Sequence, residues 1–174
     1  MLKQISDKIW GFYFRKFGSN CYLIFYDKKV LVDTSSFENR EELLKDLKTL
    51  NIEPEDVDIV LLTHSHYDHI ENIDLFKNAE IYISKKEKLK ANIKNKIADV
   101  SRLKLDFIEV ISTPGHTSGS ISFFMPKEKI LFSGDTLFDF GIGRTDFPES
   151  LPEKMSNSLK KLYNLKYKIL CAGH

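Results

Sequence analysis

The first third of the chain consists of apolar runs broken by short polar turns. Aromatic and β-branched residues cluster at 9–14, 20–26 and 29–33, and the turns FGSN and YDKK separate them. This pattern predicts three strands. The pattern changes after Ser36, where the leucines of FENREELLKDLKTL recur at helical spacing and predict a helix.

The rest of the chain mixes strands and helices. The uniformly apolar DIVLL predicts a strand covered on both faces, followed by a short helix to about residue 76. Apolar residues at helical spacing over 85–100 predict an amphipathic helix whose lysines face the solvent. Further strands are predicted in AEIYIS, FIEVIST, SISFFM, KILFSGD and YKILCAGH, with a helix at 152–164. Two groups of strands with interspersed helices favour an α/β sandwich whose helices lie outside.

Composition and charge limit the functions that fit this pattern. A chain of 174 residues suits a single domain over 1–174. A net charge of +1, carried mostly by lysine, gives no field that would attract nucleic acid or a membrane surface. No run approaches the roughly 18 apolar residues of a membrane span, and the N-terminus lacks the features of a signal peptide. Cys21 and Cys171 lie in apolar contexts that suit buried thiols, so we expect a cytoplasmic protein.

The histidines are the most informative residues. Three lie in THSHYDH, directly after the apolar DIVLL run, and two lie at the ends of later strands. Side chains alternate along an extended segment, so we expect His64, His66 and Asp68 to project from one side, with His69 beginning the next helix. The carboxylate of Asp135 closes the strand KILFSGD. The candidate ligands are therefore His64, His66, Asp68, His69, His116, Asp135 and His174.

This donor set indicates a pair of metal ions. Imidazole and carboxylate suit zinc, iron or manganese. Seven donors are too many for one tetrahedral ion, but they suit two ions about 3.5–4 Å apart that share a bridging carboxylate and a bridging hydroxide. A lone histidine is usually a core or surface residue, which does not explain five in equivalent positions. A structural metal site is closed and often rich in cysteine, so it fits less well.

The motifs resemble those of a known family. THSHYDH matches the HxHxDH signature of the metallo-β-lactamase superfamily, and PGHT, SGDTLF and AGH match its remaining metal motifs in order. The resemblance covers nearly the whole chain. It implies a four-layer αβ/βα sandwich, with two mixed sheets, helices on the outer faces and the site at one edge between the sheets. The implied ligands are His64, His66 and His116 for one ion and Asp68, His69 and His174 for the other, with Asp135 bridging.

Three further residues follow from the same resemblance. Asp33 in VLVDTS matches an acidic residue that supports a ligand in the family, although a simple turn aspartate is an alternative. The stretch GDTLFDFGIGRTDFPES resembles the small glyoxalase II-like (hydroxyacylglutathione hydrolase-like) proteins and the persulfide dioxygenases. Arg144 and Asp146 are therefore expected either to line the pocket or to brace the loop as an ion pair.

The resemblance implies a small-molecule hydrolase with two divalent ions, zinc above all, with iron or manganese as alternatives. A bridging hydroxide would attack a thioester carbonyl, and Asp68 would orient it and accept its proton. A thiolate, with a parent pKa near 8.5, leaves without a general acid. This matters because every histidine is assigned to a metal.

Two alternatives stay open from the sequence. A persulfide dioxygenase would use a single iron held by His64, His116 and Asp135, and a third possibility is a metal-binding module without catalysis. The longer glyoxalase II enzymes grip glutathione with a C-terminal helical region that has no counterpart here, so the resemblance does not specify glutathione as the thiol carrier. Relatives usually continue beyond the last motif, and we expect an α-carboxylate on His174, ionised above about pH 4, to coordinate the second ion or to weaken its site.

Overall fold

The computed structural model describes residues 1–88 and 96–174 and shows a mixed α/β chain with two mixed sheets. Two compact units are present among these residues. The first contains Met1–Ile83 together with residues 96–98, and the second contains Ser84–Lys88 together with Asp99–His174. A single domain over 1–174 stays a prediction.

The first sheet has seven strands in chain order. Their bounds are β1 Leu2–Ser6, β2 Ile9–Phe12, β3 Cys21–Phe25, β4 Lys29–Val32, β5 Ile59–Leu61, β6 Glu80–Ile83 and β7 Ile97–Asp99. The strands β1 to β4 pair antiparallel, whereas β5 pairs parallel with both β4 and β6. Parallel strands end at the same edge of a sheet, so the segments that follow β4 and β5 are neighbours.

The helices of the first unit contribute to its core. Helix α1 spans Arg40–Thr49 and helix α2 spans Tyr67–Ile70, with 3-10 turns at Phe37–Asn39, Pro54–Asp56 and Ile73–Leu75. Leu43 and Leu47, four residues apart on α1, are fully buried in a cluster with side chains of the sheet. This burial explains why the leucine spacing in the sequence predicts the helix correctly.

The second unit contains a four-stranded sheet in the order β11-β10-β9-β8. Its strands are β8 Glu109–Ser112, β9 Ile121–Met125, β10 Ile130–Gly134 and β11 Ile169–Ala172, and a 3-10 turn spans Val100–Arg102. Helix α3, Pro152–Asn164, connects β10 to β11, which pair parallel. A helical crossover is the usual link between parallel neighbours.

The predicted strands that correspond to β2–β6 and β8–β11 are confirmed, as are the helices at α1 and α3, but the sequence does not predict β1 or β7. The helix predicted over 85–100 lies partly outside the described residues, at 89–95. In its described part the prediction is wrong, because residues 97–99 form β7 and a 3-10 turn follows. Asp99 caps that turn by accepting the amide of Ser101 at 3.0 Å. Within 1–88 and 96–174, no helix is long and apolar enough to cross a membrane.

Candidate metal centre

The first group of predicted ligands follows β5. His64 is buried, His66 comes directly before α2, and Asp68 and His69 belong to α2 itself, Tyr67–Ile70. The helix thus begins before His69, at Tyr67. The sequence predicts that Asp68 continues the alternation of an extended segment and projects from the same side as His64 and His66. This prediction is wrong, because Asp68 lies on a helical turn.

These side chains lie close together within the first unit. The ring centroid of His64 is 4.6 Å from that of His66 and 4.0 Å from that of His69. A ligand atom of His64 lies within 4.8 Å of one on each of those rings, and a carboxylate oxygen of Asp68 lies within 4.8 Å of a nitrogen of His69. Such a group of imidazoles and a carboxylate suits a divalent cation.

Asp33 directly follows β4 and connects to this group. Its Oδ1 accepts the amide of Thr63 at 2.9 Å, and its Oδ2 accepts the hydroxyl of Thr63 at 2.8 Å and Nδ1–H of His69 at 2.9 Å. Because an ionised carboxylate only accepts hydrogen bonds, the proton of a neutral His69 ring lies on Nδ1. The lone pair of that ring is then on Nε2, where a metal would bind.

His64 is oriented through Thr63. The hydroxyl of Thr63 lies 3.0 Å from Nδ1 of His64, and it accepts from this nitrogen because its own proton is donated to Asp33. Nε2 of His64 therefore also carries the lone pair. One carboxylate thus sets the tautomer of two histidines, as supporting carboxylates do around metal ions.

The second group of predicted ligands lies at strand ends of the second unit. His116 lies in the loop after β8, Asp135 directly follows β10, and His174 follows β11. The parallel pairing of β10 and β11 places Asp135 and His174 at the same edge.

Asp135 faces two imidazoles with one oxygen. Its Oδ2 lies 3.5 Å from Nε2 of His116 and 3.6 Å from Nε2 of His174. Both distances exceed those of ordinary hydrogen bonds. They are close to the spacing of about 3.4 Å between two ligands that each lie about 2.0–2.1 Å from one tetrahedral ion. An oxygen placed this way suits a carboxylate shared by two ions.

The backbone of Arg144 fixes the ring of His116. Nδ1 of His116 donates to the carbonyl oxygen of Arg144 at 2.7 Å, so the lone pair of a neutral ring lies on Nε2, the atom that faces Asp135. Gly143 allows the loop this approach, because a Cβ there would lie 1.9 Å from the carbonyl oxygen of Asp135. The sequence did not reveal this contact, since a motif does not show where a carbonyl points.

The side chains of Arg144 and Asp146 form an exposed bidentate ion pair. The distances are 2.9 Å from Nε to Oδ1 and 2.7 Å from Nη2 to Oδ2. The hydrogen bond raises the pKa of Arg144 and lowers the pKa of Asp146. The guanidinium also lies 4.6 Å from the ring centroid of Phe147. These contacts are those of the loop-bracing alternative, and a role in lining the pocket stays a proposal.

Comparison with known proteins places the chain in a family. Residues 15–106 and 92–174 match the Metallo-beta-lactamase superfamily. The chain belongs to this superfamily. Its two mixed sheets with helices agree with the fold of the solved superfamily members below, and the superfamily is one of metal-dependent hydrolases.

Curated relatives include a probable metallo-hydrolase of Methanocaldococcus jannaschii, 36% identical over 146 residues, which covers 83% of this chain and 70% of the relative. A hydroxyacylglutathione hydrolase of Bartonella henselae is 40% identical over 122 residues, which covers 66% of this chain and 47% of that protein. The chain thus spans about half the length of this hydroxyacylglutathione hydrolase.

Solved structures show the same fold. The B3 metallo-beta-lactamase BLEG-1 superposes with a TM-score of 0.74 at 27% identity, over 90% of this chain and 86% of that one. TTHA1623, solved in a di-iron-bound form, superposes with a TM-score of 0.73 at 24% identity, over 90% of this chain and 87% of that one. The latter likeness concerns the fold alone.

Proposed function

We propose that this protein is a thioester hydrolase that uses two divalent metal ions. The ligands fall into two sets: His64, His66 and His116 for one ion, and Asp68, His69 and His174 for the other, with Asp135 shared. The observation that carries the proposal is the placement of Asp135 Oδ2 at 3.5 and 3.6 Å from two Nε2 atoms. We propose zinc as the metal, with iron or manganese as alternatives.

The ions and the protein contribute different parts of the chemistry. A bound divalent ion would lower the pKa of water to about 7 and would polarise a carbonyl group. Asp68 orients the attacking water and accepts its proton. The carbonyl of Asp68 accepts the amide of Ser19 at 2.9 Å, which fixes the helical turn that presents the carboxylate.

The leaving group supports a thioester as the substrate. The chain has five histidines, and all five belong to the proposed ligand sets, so none is left as a general acid. A thiolate has a parent pKa of about 8.5 and leaves without protonation, whereas an amide nitrogen needs a proton. The likeness to hydroxyacylglutathione hydrolases supports the same class of small-molecule substrate.

We also propose a cytoplasmic location. Cys21 and Cys171 are both buried and form no disulfide, as expected in a reducing compartment. Burial is the main cause that raises the pKa of Cys21, and the negative charge of Asp33 raises it further, so this thiol stays protonated.

Metal content and turnover on a panel of small thioesters, with and without oxygen, test the proposal. We expect about two divalent ions per chain and thiol release that does not depend on oxygen. Asp68→Asn is expected to lower turnover at least about 100-fold, the usual contribution of a general base, whereas the exposed Asp27→Asn retains it. One iron per chain with oxygen uptake on a thiol persulfide would instead establish the dioxygenase alternative. Protein that is fully loaded with metal but inactive on both thioesters and persulfides would establish the alternative of a metal-binding module without catalysis.

A further inference from the structure

Glu87 lies outside every motif in the sequence, yet its side chain contacts the loop that carries His116. The segment Ser84–Lys88 groups with the second unit, although the residues before it belong to the first. The amide of Lys85 donates to Oδ2 of Asp99 at 2.7 Å and fixes the segment there. The half-buried carboxylate of Glu87 is thereby held beside residues 117–120.

Thr117, the residue after His116, is the point of contact. Its hydroxyl donates to Oε1 of Glu87 at 2.6 Å and lies 2.7 Å from the hydroxyl of Ser120. The same Ser120 oxygen accepts the amide of Thr117 at 3.1 Å. Thr117 and Ser120 are both buried. The hydroxyl of Thr117 therefore donates its hydrogen bond to the carboxylate of Glu87. Hydrogen bonds to a charged acceptor are stronger than those between neutral groups.

Gly119 shows how closely Glu87 covers this loop. A Cβ at position 119 would lie 2.4 Å from Oε1 and 2.8 Å from Cγ of Glu87. The obstructing atoms belong to a flexible side chain, so an added methyl group would move the carboxylate away from Thr117 without blocking the backbone.

We propose that Glu87 is a positioning residue that holds the loop 113–120 through Thr117 and so directs the imidazole of His116 toward its metal. A separate contact also holds this loop, because the carbonyl of His116 accepts the hydroxyl of Ser150 at 2.7 Å. Glu87 thus completes the support of this ligand. The inference rests on the proposed role of His116 as a metal ligand.

Zinc affinity, measured by competition with a chromophoric chelator, tests this role in the full chain. Glu87→Ala is expected to weaken binding of one of the two ions about 10-fold or more, as the loss of groups that support metal ligands does. Glu87→Gln keeps an acceptor for Thr117 and is expected to recover part of the affinity. Glu153→Ala, at an exposed position on α3, is the matched control and is expected to bind like the wild type.

Gly119→Ala provides a test that leaves Glu87 in place. It is expected to weaken the same ion as Glu87→Ala does, while the unfolding midpoint of the metal-free protein stays that of the wild type. In the double variant the two losses should not add, because both act through one contact. If the wild-type protein binds no zinc, the proposed metal site itself is wrong, and the role of Glu87 fails with it. Wild-type protein that binds two ions, together with Glu87→Ala and Gly119→Ala variants of unchanged affinity, would overturn the role of Glu87 alone.

Discussion

Asp33 shows how one carboxylate can organise a ligand group. It lies at the end of β4, has a positive φ of 56° and is buried, and it contacts Thr63 and His69. Through these two residues it directs Nε2 of both His64 and His69. The resemblance of VLVDTS to the family predicts this type of residue, but the sequence does not show that Thr63 extends its influence to His64.

Replacing Asp33 by asparagine tests this organisation. Asparagine tolerates the left-handed backbone as aspartate does, so the turn is expected to persist. Loss of the charge removes the strong acceptor for Nδ1–H of His69, and metal affinity is expected to fall about 10- to 100-fold. Chelator competition measures the change, and the exposed Asp27→Asn serves as the control. Equal affinities of the two variants would show that Asp33 only stabilises a turn.

Elements with a clear local period could be predicted from the sequence, whereas those defined by pairing could not. The leucines of α1 and the apolar runs of β9 and β10 carry their own signal. The edge strand β1 depends on its register with β2, in which Leu2 lies opposite Phe12, and no local pattern specifies that pairing. The four residues of α2 are too few to show a helical period, which explains the misplaced start of that helix.

Helix α1 is expected to depend on its buried leucines. Leu47→Ala removes a fully buried side chain and is expected to lower the free energy of unfolding by about 2–5 kcal/mol, through lost burial and the cavity left behind. Lys45→Ala, on the exposed face of the same helix, is expected to change it by less than about 0.5 kcal/mol. Urea unfolding curves measure both values. Similar losses in the two variants would contradict the assigned packing.

The ion pair between Arg40 and Asp74 links the start of α1 to the 3-10 turn at Ile73–Leu75. The two hydrogen bonds measure 2.7 and 2.8 Å, and they lower the pKa of Asp74. A carboxyl whose folded pKa is depressed stabilises the protein above its unfolded pKa of about 3.9 and loses that effect as the pH falls through the folded value. Because Asp74 is 66% exposed, the contribution is expected to be at most about 1 kcal/mol.

Unfolding of the wild type and of Asp74→Asn across pH 2–7 measures this contribution. The two proteins are expected to differ at pH 7, and the difference is expected to disappear in the acid range below pH 4. A difference that stays constant down to pH 2 would mean that the charge of Asp74 does not stabilise the fold.

In the molecule as a whole, all seven proposed ligands could be identified from the sequence because they lie in recognisable motifs that follow apolar strands, with Asp68 and His69 on the short helix α2. It does not show the groups that orient them, since the carbonyl of Arg144 and the carboxylate of Glu87 belong to no motif and act through contacts between distant segments. The choice of substrate is equally absent from the metal motifs, which specify ligands and leave the acyl group undefined.

Anomalous diffraction from crystals of the zinc-loaded protein would show whether Asp135 is shared by two metal ions. We expect two zinc peaks about 3.5–4 Å apart, both in contact with Asp135. The ion at one peak should be bound by His64, His66 and His116, and the ion at the other peak by Asp68, His69 and His174. A single peak, or two peaks that do not share Asp135, would contradict this arrangement.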